Sequence, residues 1–155
     1  MELKELLRNI EVVKFFGVKD RIINDVKNNS REIKLNDLFI AIDGNTIDGH
    51  IFINDAIQNG SKSIVCQTIP EEIRNDITYV VVNNTRKVYS KICSNYFKNP
   101  SKKMYLIGIT GTNGKTTTAT LLYKIFNLYG YKVGLLSTNK ILIDGDSNFK
   151  KLDKI

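Results

Sequence analysis

Cysteine and histidine are scarce in this 155-residue chain: Cys66, Cys93 and a lone His50 are all it has. The two cysteines lie far apart, with no CxxC spacing and no histidine cluster, so no local metal-ligand pattern exists. Cys66 falls in an apolar strand-like run and Cys93 in a helical one, so both read as buried free thiols. That fits a reducing cytoplasm. No apolar run reaches the ~18 residues needed to span a bilayer. The opening "MELKELLRNIEVVKFFG" has neither the apolar core nor the small-residue cleavage site of an export signal. A cytoplasmic chain without a membrane partner is expected. The formal charge of +7 permits nucleic acid, an anionic surface or small anionic substrates. The lysines are scattered, however, with no basic block and no aromatic-rich RNA-binding signature, so no nucleic-acid partner is expected.

What the chain does have is alternation of strand-like and helix-like segments. "LKELLRNI" puts Leu3, Leu6, Leu7 and Ile10 on one helical face. "RIINDV" and "LFIAI" read as strands. "HIFINDAIQNG" reads as a helix with Phe52, Ile53, Ala56 and Ile57 on one side and Gly60 beyond its end. "SIVCQ" and "YVVVN" are two more strands. "TRKVYSKICSNYF" is a helix with Val88, Ile92 and Tyr96 aligned and Thr85 as the expected N-cap. "KNPSKK" then marks a boundary, because Pro100 cannot continue the helix. Beyond it come a strand, "MYLIGIT", a glycine loop, a helix ending at Gly130 and a strand, "KVGLLST". The tail "NKILIDGDSNFKKLDKI" reads as a hairpin or an unfinished connection.

The pattern predicts an α/β fold. Residues 1–99 form a small α/β domain. Residues 100–155 form the opening strand–loop–helix–strand unit of a second, parallel-sheet domain. Two parallel strands and one crossover helix cannot cover both faces of such a sheet. Either that unit packs on the first domain or the chain is a fragment of a longer protein; the fragment is the expectation.

The loop is "ITGTNGKTTT", Ile109 to Thr118. The common phosphate loop is GxxxxGK[ST], and here Ile109 stands where its first glycine should be. The physics still favours an anion. Gly111 and Gly114 permit backbone angles that turn successive N–H groups inward. Thr112 and Asn113 lie between them, and Asn113 can brace the loop. The helix beginning near Lys115 aims its dipole and unpaired N–H groups at the same point. The Lys115 ammonium can reach terminal phosphates, and the Thr116 hydroxyl, followed by Thr117, is placed to ligate Mg²⁺. The alternative is a glycine turn with a surface lysine.

At these residues the chain resembles the Mur ligase family, whose loop reads G-x-T/S-G-T/S-N-G-K-T/S. Residues 28–65 are similar to an N-terminal domain shared by two members, with the pattern D-S-R, G-D-L-F-x-A, G and D-G-H. Here it stands as Ser30-Arg31, Asp37 to Ala41, Gly44 and Asp48-Gly49-His50. Asn29 replaces the usual Asp, which suggests a weaker loop hydrogen bond, and Asn36 replaces the usual Gly.

The resemblance implies an ATP-dependent amide ligase of peptidoglycan precursor synthesis, adding the third amino acid to UDP-N-acetylmuramoyl-dipeptide. The γ-phosphoryl of ATP passes to the peptide carboxylate, the incoming amine attacks the acyl phosphate, and phosphate leaves. Lys115 then holds the β- and γ-phosphates, Thr116 holds Mg²⁺, and Gly111 to Gly114 cradle the anion. The N-terminal domain holds the UDP end through Ser30, with Asn28, Asn45, Thr46 and Ile47 as further contacts. Arg31 either reaches the diphosphate or forms a local salt bridge, and His50 reads as a cap or packing residue. The remaining partner is the rest of the ligase chain, without which no turnover is expected. The amino acid, diaminopimelate or lysine, stays open. Alternatives are the member that adds the D-alanyl-D-alanine dipeptide, a non-catalytic nucleotide-binding module, and a folate- or cyanophycin-type ligase.

Overall fold

A computed structural model describes residues 1–44, 46–138 and 141–143. Two compact units divide the chain, Met1–Tyr105 and the part beginning at Leu106.

The first unit is built on a five-stranded sheet. Its strands are β1 (Lys14–Phe16), β2 (Val26–Lys27), β3 (Leu38–Ile40), β4 (Ser63–Cys66) and β5 (Thr78–Val81), in the order β1-β5-β4-β3-β2. β2 to β5 run parallel, and β1 closes one edge antiparallel to β5. Because side chains alternate along a strand, the apolar strands feed two cores. Phe39, Ile64, Cys66 and Tyr79 face Ile53, Ala56 and Ile57 of α2 (Ile53–Gln58). Leu38, Ile40, Val65 and Val80 face the other way. They meet Leu3 and Leu6 of α1 (Leu3–Leu6) and Ile92 of α3 (Thr85–Tyr96). Strands buried on both faces need near-continuous apolar runs, which is why "SIVC" and "TYVV" show no polar alternation. Each fully buried Leu, Ile or Val contributes about 1.5–3 kcal/mol.

Three local expectations change. "RIINDV" is mostly not a strand, because its main-chain groups bond elsewhere. Arg21 O accepts from Leu3 N–H at 2.8 Å, Ile23 N–H donates to Met1 O at 2.8 Å, and only Val26 and Lys27 join the sheet. The N-cap of α3 is Asn84, whose side chain accepts from Lys87 N–H at 2.9 Å. Thr85 turns inward instead. Finally, "MYLIGIT" pairs with no strand among the described residues. An apolar run becomes a buried strand only when neighbours flank it, and here Tyr105, Leu106 and Ile107 are exposed.

The second unit holds α4 (Lys115–Leu128) and strands β6 (Gly134–Leu136) and β7 (Ile141–Ile143), paired antiparallel. The described part of the tail is therefore a hairpin strand. Gly130, at φ +80, ends α4 as expected. No helix among the described residues is long and apolar enough to cross a membrane.

Candidate functional site

The glycine loop has the backbone that the sequence demanded. Gly111 sits at φ +145 and Gly114, the N-cap of α4, at φ +76. A Cβ at Gly114 would meet nothing within 4 Å, and one at Gly111 nothing nearer than 3.8 Å. Dihedral freedom, not lack of room, is therefore what requires glycine here. Thr118 N–H already donates to Gly114 O at 2.9 Å, so the N–H groups of Lys115, Thr116 and Thr117 are the unpaired donors of the first turn. Lys115 folds back over the loop. Its ammonium donates to Gly111 O and, at 3.2 Å, to Thr112 O. Thr112, Asn113 and Thr117 are exposed, and Thr116 is half-buried. The hydroxyl of Thr116 makes no hydrogen bond among the described residues, although its carbonyl accepts from Thr120 Oγ1 at 2.7 Å. The result is an exposed helix start with unpaired N–H donors and one ammonium held beside it.

The N-terminal candidates gather at one end of the first unit. Asn28 and Ser30 follow β2, Thr46 and Ile47 follow β3, Gln67 follows β4 and Asn84 precedes α3 after β5. These are the carboxyl ends of parallel strands, where open α/β sheets bind ligands. Ser30 is buried at 6 %, in a turn capped by Asn29. Asn29 keeps the loop hydrogen bond: its Oδ1 accepts from Arg31 N–H at 3.1 Å, and its amide donates to Glu32 at 2.9 Å. Asn28, Thr46 and Ile47 are exposed, with Ile47 apolar at the tip. Asn45 lies outside the described residues. Arg31 is exposed, and no ion pair joins it to another described residue.

The glycines of this motif have a different reason from those of the loop. A Cβ on Gly44 would lie 2.5 Å from Ile47 O, and one on Gly49 2.6 Å from Ile42 O. Main chain approaches main chain too closely for any side chain. Asn36, where the family pattern has glycine, sits at φ +63. That left-handed conformation is open to Gly and, next best, to Asn.

His50 does more than cap. Asp48 is the N-cap of the turn Gly49–Phe52, and its Oδ1 accepts from His50 N–H at 2.9 Å. His50 Nδ1 lies 2.5 Å from the same oxygen, and Nε2 accepts from Gln67 N–H at 2.8 Å. These bonds, the main-chain one first, hold the Asp48 carboxyl below the usual range. Gln67 and Thr85 were not legible as partners, because they lie 17 residues from His50 and 18 from Gln67. Cys66 is buried as expected, whereas Cys93 is only half-buried; burial pushes the Cys66 thiol up to about 11 and raises that of Cys93, which disfavours the thiolate in both.

A cavity of about 260 Å³ opens at the amino ends of the strands, lined by Arg21, Lys62 and Ser63 among others. Its cations are already engaged. Lys62 pairs with Asp76 at 2.6 Å, and Arg21 donates to Thr78 and to Asp76 O. It holds none of the chemistry described above.

A mostly parallel-sheet unit with polar turns at its strand ends, and a second unit in which a glycine loop opens a helix, define an α/β chain of two units. Comparison narrows this. Residues 22–102 match the Mur ligase family, catalytic domain, and residues 109–154 match the Mur ligase middle domain. The chain belongs to the Mur ligase family.

A UDP-N-acetylmuramoyl-L-alanyl-D-glutamate–2,6-diaminopimelate ligase of Bacteroides fragilis is 42% identical over 147 residues, 95% of this chain and 30% of that protein. The protein of the same name in Clostridium tetani is 44% identical over 140 residues, 89% of this chain and 29% of that one. The chain thus spans about 30% of the length of the relatives it matches. A solved ligase of that name superposes with a TM-score of 0.70 at 20% identity, covering 94% of this chain and 29% of its own. A MurF ligase of Thermotoga maritima in complex with ADP gives a TM-score of 0.50 at 26% identity, covering 74% and 25%.

Proposed function

We propose that this chain is the UDP-binding unit and ATP loop of an amide ligase that adds the third amino acid to UDP-N-acetylmuramoyl-dipeptide in the cytoplasm. The observation that carries the reading is the loop itself. Two left-handed glycines, unpaired helix N–H groups and a folded-back lysine meet at the start of one helix. Such a point suits the charge that develops on a transferring phosphoryl group. Lys115 would leave the Gly111 carbonyl for the β- and γ-phosphates, and the amides of 111–117 would hold them in place. The terminal phosphoryl passes to the substrate carboxylate, which gives ADP and an acyl phosphate. The amine of the incoming amino acid attacks that carbon, and inorganic phosphate leaves.

Magnesium fits the loop only in part. Among the described residues no group of three or more His, Cys, Asp or Glu could hold a metal. Thr116 would be its one ligand from this loop, with phosphate oxygens supplying others. Bound there, the ion would offset charge on the phosphoryl oxygens.

The UDP end belongs at the strand ends of the first unit, on Ser30, Asn28 and the 44–47 turn, Asn45 included. The relatives' names favour diaminopimelate as the amino acid added. They also favour this reaction over addition of the D-alanyl-D-alanine dipeptide. Isothermal titration with UDP-N-acetylmuramoyl-L-alanyl-D-glutamate tests the reading. Saturable binding, competed by UDP and weakened by Ser30→Ala, is expected. Absence of binding by the unaltered chain would overturn the UDP assignment.

A further inference from the structure

We propose that His50 is a positioning residue for the substrate-turn residues Thr46 and Ile47, acting through a hydrogen-bond relay that crosses three strand ends. The inference rests on the reading of that turn as part of the UDP site. The relay starts at Asp48, whose Oδ1 lies 2.5 Å from His50 Nδ1. It continues from His50 Nε2 to the main-chain N–H of Gln67, 2.8 Å away. Gln67 Oε1 then accepts from both N–H and hydroxyl of Thr85, at 3.0 and 2.9 Å. Thr85 is fully buried and opens α3.

The chemistry of the ends fixes the chemistry of the middle. A main-chain N–H can only donate, so Nε2 must accept and carries no proton. The proton of the neutral ring therefore sits on Nδ1 and donates to the Asp48 carboxylate. One tautomer satisfies both neighbours. The ring is only 14% exposed while Asp48 is 53% exposed, so the bond shielded from water is the one to Gln67.

The turn is held at both ends by the start of α3. Asp43 and Asp48 bridge across its base, and Gly44 N–H donates to Ile47 O at 3.2 Å. Arg86 Nη2, beside Thr85, donates to Asp43 O at 3.2 Å. The relay holds the Asp48 end. Remove the ring and that end loses its link to β4 and α3, while Gln67 keeps a main-chain donor without its acceptor.

Three variants separate this role from simple packing. His50→Ala removes both bonds. His50→Gln can place an acceptor near the Nε2 position, whereas His50→Asn can reach Asp48 but not Gln67. UDP affinity of the 155-residue chain is measured for each by titration. The ring nitrogens of the unliganded chain are observed by ¹⁵N NMR. The expected results are a single Nδ1–H tautomer, about tenfold weaker UDP binding for His50→Ala and His50→Asn, and recovery in His50→Gln. Equal UDP affinity in all four proteins, or an Nε2–H tautomer, would overturn the proposal while leaving the UDP site standing. If the unaltered chain binds no UDP, the site reading fails and the positioning role with it, even where the NMR signature of the relay is present. Should His50→Ala not fold, the Gln and Asn pair and the ring spectrum still decide.

Discussion

The ammonium of Lys115 reaches back over its own loop and donates to the carbonyl oxygen of Gly111, four residues earlier. That contact keeps a positive charge beside the unpaired N–H groups that open α4. It is made by an exposed side chain, so it adds little to stability. Lys115→Ala should change the unfolding free energy by no more than about 0.5 kcal/mol. ATP affinity should fall at least tenfold, which is about 1.4 kcal/mol. Titration of ATP together with a denaturant melt measures both.

Gly49 is a stricter position than either loop glycine. A methyl group there would lie 2.6 Å from Ile42 O and 2.8 Å from Ile42 N, and main-chain atoms cannot swing aside. Gly49→Ala should cost roughly 1–3 kcal/mol in a urea melt, the usual range for overpacking. Gly114→Ala meets no neighbour, so its cost is the dihedral strain alone, about 1–2 kcal/mol.

Asn36 supplies a graded test of the left-handed backbone. Its N–H donates to Gly60 O at 3.1 Å, and its carbonyl accepts from Asn24 at 3.0 Å. Both are main-chain bonds, open to any residue that can hold φ +63. Asn36→Gly should leave stability within about 0.5 kcal/mol, and Asn36→Ala should lose about 1 kcal/mol. Equal losses in the two variants would mean that the Asn side chain itself matters.

Cys66 sets an alkaline limit. Burial raises its thiol from 9.0 to about 11 in the folded chain. Above pH 9 the unfolded chain sheds this proton first, so it binds fewer protons than the folded one, and stability falls as pH rises. The loss runs from about pH 9 to about pH 11. It reaches roughly 2–3 kcal/mol for a shift of this size. Urea melts across that window should show it, and Cys66→Ala should flatten this part of the slope.

The sequence made some of this legible and hid the rest for physical reasons. Ile53, Ala56 and Ile57 fall at helical spacing and pack as one face. The runs around Phe39, Val65 and Val80 are short strands, legible because they are continuously apolar and buried on both sides. The Gly111–Thr117 loop was readable because its spacing is local. β1 was not: three residues carry no period, and its partner lies more than sixty residues away. Met104 to Thr110 looked like a buried strand, but apolar composition reports the need for a partner, not its presence. Asn84 displaced Thr85 as cap because Gln67, distant in sequence, claims the Thr85 hydroxyl. The relay through His50 was hidden for the same reason.

The most direct test is an NMR titration of the ¹⁵N-labelled chain with ATP and magnesium, which detects weak as well as tight binding. Amide shifts should concentrate on residues 111–117 and vanish in Lys115→Ala. A spectrum in which those amides stay fixed at saturating nucleotide, or move equally in the variant, would contradict the phosphate-binding loop.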